Sequence, residues 1–141
     1  MSGHDQHWHD AAHEHQAGSR SPGDPAPTVY ACKTSLAFDP PRQIHELQAR
    51  LESLLVGLTQ SLRLADCTLI GHIKGLLTAG EEGALFFSVT AFDRSPKFKG
   101  AIKGSIAEAN LTLNAVVYGV EYAEVVDIVD QSLRVMESGS R

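Results

Sequence analysis

The sequence has few cysteines and no long apolar run, and each shortage argues against a class of protein. Its two cysteines, Cys32 and Cys67, form neither a CxxC pair nor a disulfide framework. This usage is typical of a reducing compartment, so we expect a cytoplasmic protein. No apolar run approaches the roughly 18 residues that span a bilayer, and the N-terminus lacks the apolar core of a signal peptide. The sequence therefore predicts no membrane partner.

Basic residues and catalytic motifs are scarce as well. The chain of 141 residues has 12 Lys and Arg against 17 Asp and Glu, a formal net charge of −5. Proteins that bind nucleic acid generally need a clustered basic surface, so nucleic acid is not an expected partner. The sequence contains no P-loop, GxSxG, HExxH or paired CxxC motif. These absences favour a non-catalytic role.

Residues 1–28 have the composition of a disordered tail. Trp8 is their only large apolar residue, which is too little to offset the entropy of ordering. Pro22, Pro25 and Pro27 favour an extended, semi-rigid linker into the domain. We expect one tail, residues 1–28, and one domain, residues 29–138.

The tail holds most of the histidine of the chain. Five of the seven histidines lie within its first fifteen residues, interleaved with acids: His4, His7, His9, His13 and His15. Neutral imidazole is a good ligand for nickel, copper and zinc. Because only the neutral ring binds metal, binding should weaken as the pH falls through the histidine range. The pattern predicts capture of a divalent metal ion by the tail.

The extreme N-terminus suggests a more specific geometry. If Met1 is removed, which the small Ser2 allows, the chain begins Ser-Gly-His. This resembles the amino-terminal copper- and nickel-binding motif, in which the third residue is histidine. The amine, two backbone nitrogens and the His4 imidazole could form a square of four nitrogens, which favours Cu(II) or Ni(II) over zinc. The alternatives are a solvated tail with no role and a segment added for purification.

The pattern of residues 29–138 predicts an α+β domain. We expect a two-layer sandwich in which both helices pack on one face of the sheet. Asp39, Pro40 and Pro41 predict the start of a long N-terminal helix that runs to about Leu64. A four-stranded antiparallel meander should follow, and then a C-terminal helix from Val120 to about Glu137. The expected strands are Cys67–Leu77, Ala84–Phe92, residues 97–103 and the segment around Ala109–Val117. The segment Val29–Phe38 is ambiguous between a short edge strand and a stretch lying across the core.

Several residues within the domain are weaker candidates for function. His72 reads as a packed strand histidine, and Cys32 as a small buried hydrophobe. Arg94, Lys97, Lys99 and Lys103 surround Phe98, but strand alternation separates that ring from the lysines. Phe86 and Phe92 would form an apolar patch favouring a homodimer or a protein partner if they share the outer face. The segment Leu111–Leu133 is similar to the strand–turn–helix of the alkaline shock protein family, a likeness that includes no catalytic motif.

Three functions follow from these patterns. The preferred one is a cytosolic metal-binding accessory protein whose tail captures Ni(II) or a similar ion. The second is a non-catalytic oligomerisation or partner-docking module with an incidental tail. The third is a small-molecule-binding domain or enzyme with a site near His72, Arg94 and Tyr118.

Overall fold

The computed structural model describes residues 26–138, so the tail histidines lie outside the described part. The domain is one five-stranded antiparallel sheet with two helices. Its elements in chain order are β1 (Thr28–Gln43), α1 (Ile44–Leu64), β2 (Leu69–Thr78), β3 (Gly83–Val89), β4 (Lys97–Ile102), β5 (Ser105–Tyr118) and α2 (Tyr122–Ser138). The strands lie in the order β1-β5-β2-β3-β4. Neither helix in this region is both long and apolar enough to cross a membrane.

The prediction of an N-terminal helix followed by a four-stranded meander is wrong. A strand of 16 residues, β1, precedes the first helix. The last strand, β5, is inserted between β1 and β2 instead of following β4 across the sheet. Local periodicity identifies a strand but not its neighbours, because pairing is decided by contacts between residues far apart in the chain. The sheet therefore has one strand more than predicted, and the first strand of the domain forms one of its edges.

Helix α1 also begins later than the sequence predicts. The strand β1 continues through the two prolines to Gln43, with an irregular register between Ala37 and Arg42. Prolines are tolerated there because β1 is an edge strand and a missing N–H leaves no ladder bond broken. Gln43 is the N-cap residue and makes no side-chain cap bond. Arg42 instead bridges the junction, with its Nη1 3.0 Å from Glu46 Oε2.

Helix α1 ends where the sequence predicts. The N–H of Cys67 donates to the carbonyl of Leu62 at 3.0 Å, and the N–H of Asp66 donates to that of Arg63 at 3.1 Å. Asp66 takes the left-handed conformation, with φ of 69°. These two bonds form a Schellman motif, which satisfies the last carbonyls of the helix. The apolar stripe of α1 packs on the sheet through Leu47, Leu51, Leu54, Leu55, Leu58 and Leu62, all buried.

One glycine of β2 marks a bulge, and another marks a close approach of neighbouring atoms. The register of β2 on β5 shifts between Ile70 and His72, so Gly71 is the extra residue. This shift places Ile70 on the buried face, whereas strict alternation would place it on the same face as His72. A Cβ at Gly75 would overlap the ring of Phe87 and the carbonyl oxygen of Thr112. Glycine is therefore required at that position by packing.

The buried face of β5 follows the alternation of its sequence. Its odd-numbered residues are buried beneath the helices: Ala109, Leu111, Leu113, Ala115 and Val117. Helix α2 packs against α1 and β1. Its buried side chains are Val125, Val129, Leu133 and Met136, as the sequence indicates. Both helices thus cover one face of the sheet.

Two glycine-to-alanine substitutions should have opposite effects on stability. We expect Gly75→Ala to lower the free energy of unfolding by about 1–3 kcal/mol, because the added methyl must displace a ring and a backbone carbonyl. The matched control is Gly57→Ala in α1, where an added Cβ meets nothing within 4 Å. It should raise stability by up to about 1 kcal/mol, because glycine is unfavourable inside a helix. Urea denaturation measures both, and an unchanged midpoint for Gly75→Ala would contradict the packing described.

Candidate functional site

The sheet face opposite the helices is the largest feature not used by the fold. We call it the open face. It is formed by alternate residues of the five strands: Val29, Ala31, Lys33 and Ser35 of β1; Asn110, Thr112, Asn114 and Val116 of β5; His72, Lys74, Leu76 and Thr78 of β2; Ala84, Phe86 and Ser88 of β3; and Lys97, Lys99 and Ala101 of β4. No described helix covers it.

Four of the five lysines of the chain lie on the open face. Register places Lys33, Thr112, Leu76, Phe86 and Lys99 in one row across all five strands. The neighbouring row contains Lys74 opposite Ser88, which is in turn opposite Lys97. The two ends of the first row are roughly 19 Å apart, at about 4.8 Å per strand. The face therefore carries four lysines, contributed by three of its five strands.

Phe86 lies on the same face as these lysines. Its side chain is 44 % exposed, and Lys99 is its direct partner across β4. Lys74 and Lys97 are its diagonal neighbours on the same face. Sequence reasoning did not group these residues, because they belong to three strands whose pairing is not local. The alternation of K-F-K-G-A-I-K did identify Lys97 and Lys99, but Lys33 and Lys74 become their neighbours only in the folded sheet.

The other predicted aromatic positions lie on the helix side. Phe98 packs against the core, on the opposite side of β4 from the lysines, as its alternation predicts. Phe92 also contacts the core, and the guanidinium carbon of Arg63 lies 4.6 Å from the centre of its ring. Phe92 therefore does not join Phe86 in an outer patch. The exposed apolar surface of the open face is smaller than it would be with both rings.

Carboxylates are concentrated in the other layer. Helix α2 exposes Glu124, Asp127 and Asp130, and α1 exposes Glu52. Among residues 26–138, no carboxylate lies within ion-pair distance of the four lysines of the open face. The nearest acid on that side along β5 is Glu108, four residues from Thr112. The open face is thus positively charged although the chain as a whole has a net negative charge.

The three residues named for a small-molecule site do not converge. His72 lies on the open face opposite Val116, and Tyr118 ends β5 on the same side, close to Gly71. Arg94 lies in the β3–β4 turn, in a depression lined by Val56 and Gln60 of α1. This depression is on the helix side of the sheet. The arrangement does not build a common pocket from these side chains.

The described residues include no cluster of the usual metal ligands. Between residues 26 and 138 there is no group of three or more His, Cys, Asp or Glu side chains that could hold a metal ion. The predicted ligands His4, His7, His9, His13 and His15 all lie outside the described residues.

A polar cluster lies where β1 meets α2. The Tyr30 hydroxyl donates to Asp130 Oδ1 at 3.4 Å, and the rings of Tyr30 and Tyr122 meet edge to face at 5.8 Å. Burial raises the pKa of the Cys32 thiol, and the negative charge of Asp130 raises that pKa further. The pKa of Tyr30 is raised by burial, with Cys32 and Asp130 adding to it. A raised thiol pKa disfavours the reactive thiolate, so the cluster does not activate Cys32 as a nucleophile.

Comparison with known proteins identifies no family. No family model matches the chain, and no curated protein matches it. Among solved structures, the Zn(II)-bound YjiA GTPase from E. coli is similar, with a TM-score of 0.36 and 18 % identity over 74 % of this chain and 29 % of that one. A Zn(II)-bound triple mutant of YjiA has a TM-score of 0.39 and 16 % identity over 78 % of this chain and 30 % of that one. The chain spans less than a third of these proteins, and similarities this weak support no functional argument.

The reactivity of Cys32 should depend on Asp130. Alkylation requires the thiolate, so we expect the rate at Cys32 to rise at a higher pH than for an ordinary thiol. Asp130→Asn should shift this rise to lower pH, though only part of the way, because burial is the larger cause. The matched control is Asp127→Asn, an exposed acid on the same helix, which should leave the profile unchanged. Mass spectrometry of the peptide containing Cys32 measures the rates, and equal profiles for all three proteins would contradict the assignment.

Proposed function

We propose that the protein is a cytosolic metal-binding accessory protein whose tail captures Ni(II) or a similar divalent ion. The observation that supports this most directly is the density of imidazole, with five histidines between His4 and His15. Residues 26–138 hold no comparable group of ligands. In this proposal the tail binds the metal ion, and the folded domain carries the tail. The cytosolic setting rests on the lack of a disulfide framework.

The tail can bind a metal in two ways. Its five imidazoles can gather around one ion as a set of neutral ligands, which suits zinc, nickel and copper. With Met1 removed, Ser2, Gly3 and His4 can supply the square of four nitrogens that selects Cu(II) or Ni(II). Asp5, Asp10 and Glu14 lie among these ligands and lower the cost of bringing a cation there.

The second candidate function is docking of a protein partner, and the open face favours it. The face is uncovered among the described residues and carries an exposed phenylalanine among lysines. A symmetric homodimer through this face would place the basic surfaces of two copies against each other, because a two-fold interface uses the same patch twice. Like charges facing each other are unfavourable. An acidic partner therefore fits this surface better than a second copy.

Calorimetric titration of two variants should locate the metal site. We expect the full chain to bind Ni(II), Cu(II) or Zn(II), and the variant with alanine at His4, His7, His9, His13 and His15 to lose that binding. The matched control is the double variant His45→Ala and His72→Ala, which replaces the two histidines of the domain. It should bind as the full chain does.

The same titration tests the ligand type. Lowering the pH from about 7.5 to about 5.5 should weaken binding at least tenfold, because protonated imidazole cannot bind metal. Undiminished binding by the variant without tail histidines, or no binding by the full chain, would refute the proposal. Intact-mass measurement determines whether Met1 is retained, in which case the Ser-Gly-His site does not form.

A further inference from the structure

We infer that, in the metal-free protein, the acidic tail docks on the lysines of the open face of its own domain. The inference rests on three features: the charge of the face, the charge of the tail and the point where the tail joins the sheet. Docking itself does not depend on metal binding. Its release by zinc rests on the proposed function.

The charges of the two surfaces are complementary. The open face carries Lys33, Lys74, Lys97 and Lys99 without a carboxylate partner among the described residues. Residues 1–25 contain four carboxylates against a single arginine: Asp5, Asp10, Glu14, Asp24 and Arg20. Above the histidine pKa range the imidazoles are neutral and leave this negative charge uncompensated. At low ionic strength such charges attract over distances of about 30 Å.

The tail joins the sheet within reach of the face. Thr28 begins β1 opposite Val117, and its hydroxyl donates to the carbonyl of Val120 at 2.6 Å, which fixes this corner of the sheet. The segment between Glu14 and Thr28 would reach about 43 Å at about 3.1 Å per residue when extended. The face is only roughly 19 Å wide. The acids between Asp5 and Glu14 can therefore reach every lysine of the face.

An aromatic contact can add to the electrostatic one. Trp8 is the single tryptophan of the chain and lies between the acids of the tail. Phe86 is an exposed ring on the open face, with Lys99 directly opposite and Lys74 and Lys97 diagonal to it. Aromatic pairs of this kind contribute about 0.5–1.5 kcal/mol beyond the area they bury. The ammonium groups of the same lysines can also form cation–π contacts with the indole ring of Trp8.

Metal binding through the imidazoles should release the tail. A Zn(II) ion held by neutral histidines adds two positive charges to a segment that docks through its negative charge. Since the two equilibria are linked, docking weakens zinc binding by the same factor by which zinc weakens docking. A variant that no longer docks should therefore bind zinc more tightly. The open face then becomes available to an acidic partner only when the tail carries zinc.

Fluorescence of Trp8 tests docking directly, because no other tryptophan contributes. The quenching constant of acrylamide is measured for the metal-free full chain at low salt and for a peptide of residues 1–27. We expect quenching in the full chain to be at least twofold weaker than in the peptide. The double variant Lys74→Glu and Lys99→Glu, or high salt, should restore the value of the peptide.

The matched control makes the same charge change away from the open face. Arg50→Glu in α1 with Arg134→Glu in α2 should leave quenching as weak as in the unmodified chain, because both residues lie on the helix layer. Equal quenching of full chain and peptide at low salt would overturn the inference. So would release by the control as large as that by the face variant, or protection that rises with protein concentration, which assigns the contact to a second copy.

A zinc titration of the same signal separates the two proposals. Zinc is expected to raise quenching to the value of the peptide, and the double face variant should bind zinc more tightly than the control. Protection of Trp8 that does not respond to zinc, in a chain that binds none, supports docking and refutes metal capture. Zinc binding measured by calorimetry in a chain whose Trp8 is never protected supports metal capture and refutes docking.

Discussion

The pairing of β1 with β5 is the constraint on which the rest of the structure depends. It runs in continuous register from Thr28 opposite Val117 to Ala37 opposite Glu108. Because β2 occupies the other edge of β5, the pairing makes β5 a central strand and β1 an edge strand. It also determines where residues 1–25 join the domain. Without it, Lys33 would not lie on the same face as the lysines of β2 and β4.

The consequence is a domain with two unlike faces. One is covered by α1 and α2, whose leucines and valines fill the core beneath a layer of exposed carboxylates. The other is uncovered among the described residues and carries lysines around Phe86. The net charge of −5 for the whole chain does not show that the acids and the lysines lie on different faces. The proposed docking of the tail arises from that separation, since a uniformly acidic domain would repel an acidic segment.

The sequence predicts what is local and misses what is not. The stripe of α1 and the buried face of β5 follow the periodicity of the sequence, and the predicted orientation of Phe98 is confirmed. The sequence does not identify β1 as a strand, because its two prolines resemble a helix start. It does not indicate the partner of β1 either, because the pairing of Ala31 with Asn114 spans some eighty residues. Because of the bulge at Gly71, Ile70 faces the core, although simple alternation from His72 would place it on the open face. The lysine surface depends on both of these non-local features, so only the folded sheet reveals it.

Nuclear magnetic resonance of the full chain, recorded without metal and with zinc, most directly tests whether tail and open face form one metal-responsive unit. The amide signals of Lys74, Phe86 and Lys99 should move when zinc is added, together with those of the tail histidines. In the chain whose five tail histidines are replaced by alanine, zinc should leave these three signals unmoved. Signals of the open face that stay fixed while the histidine signals shift would contradict the account.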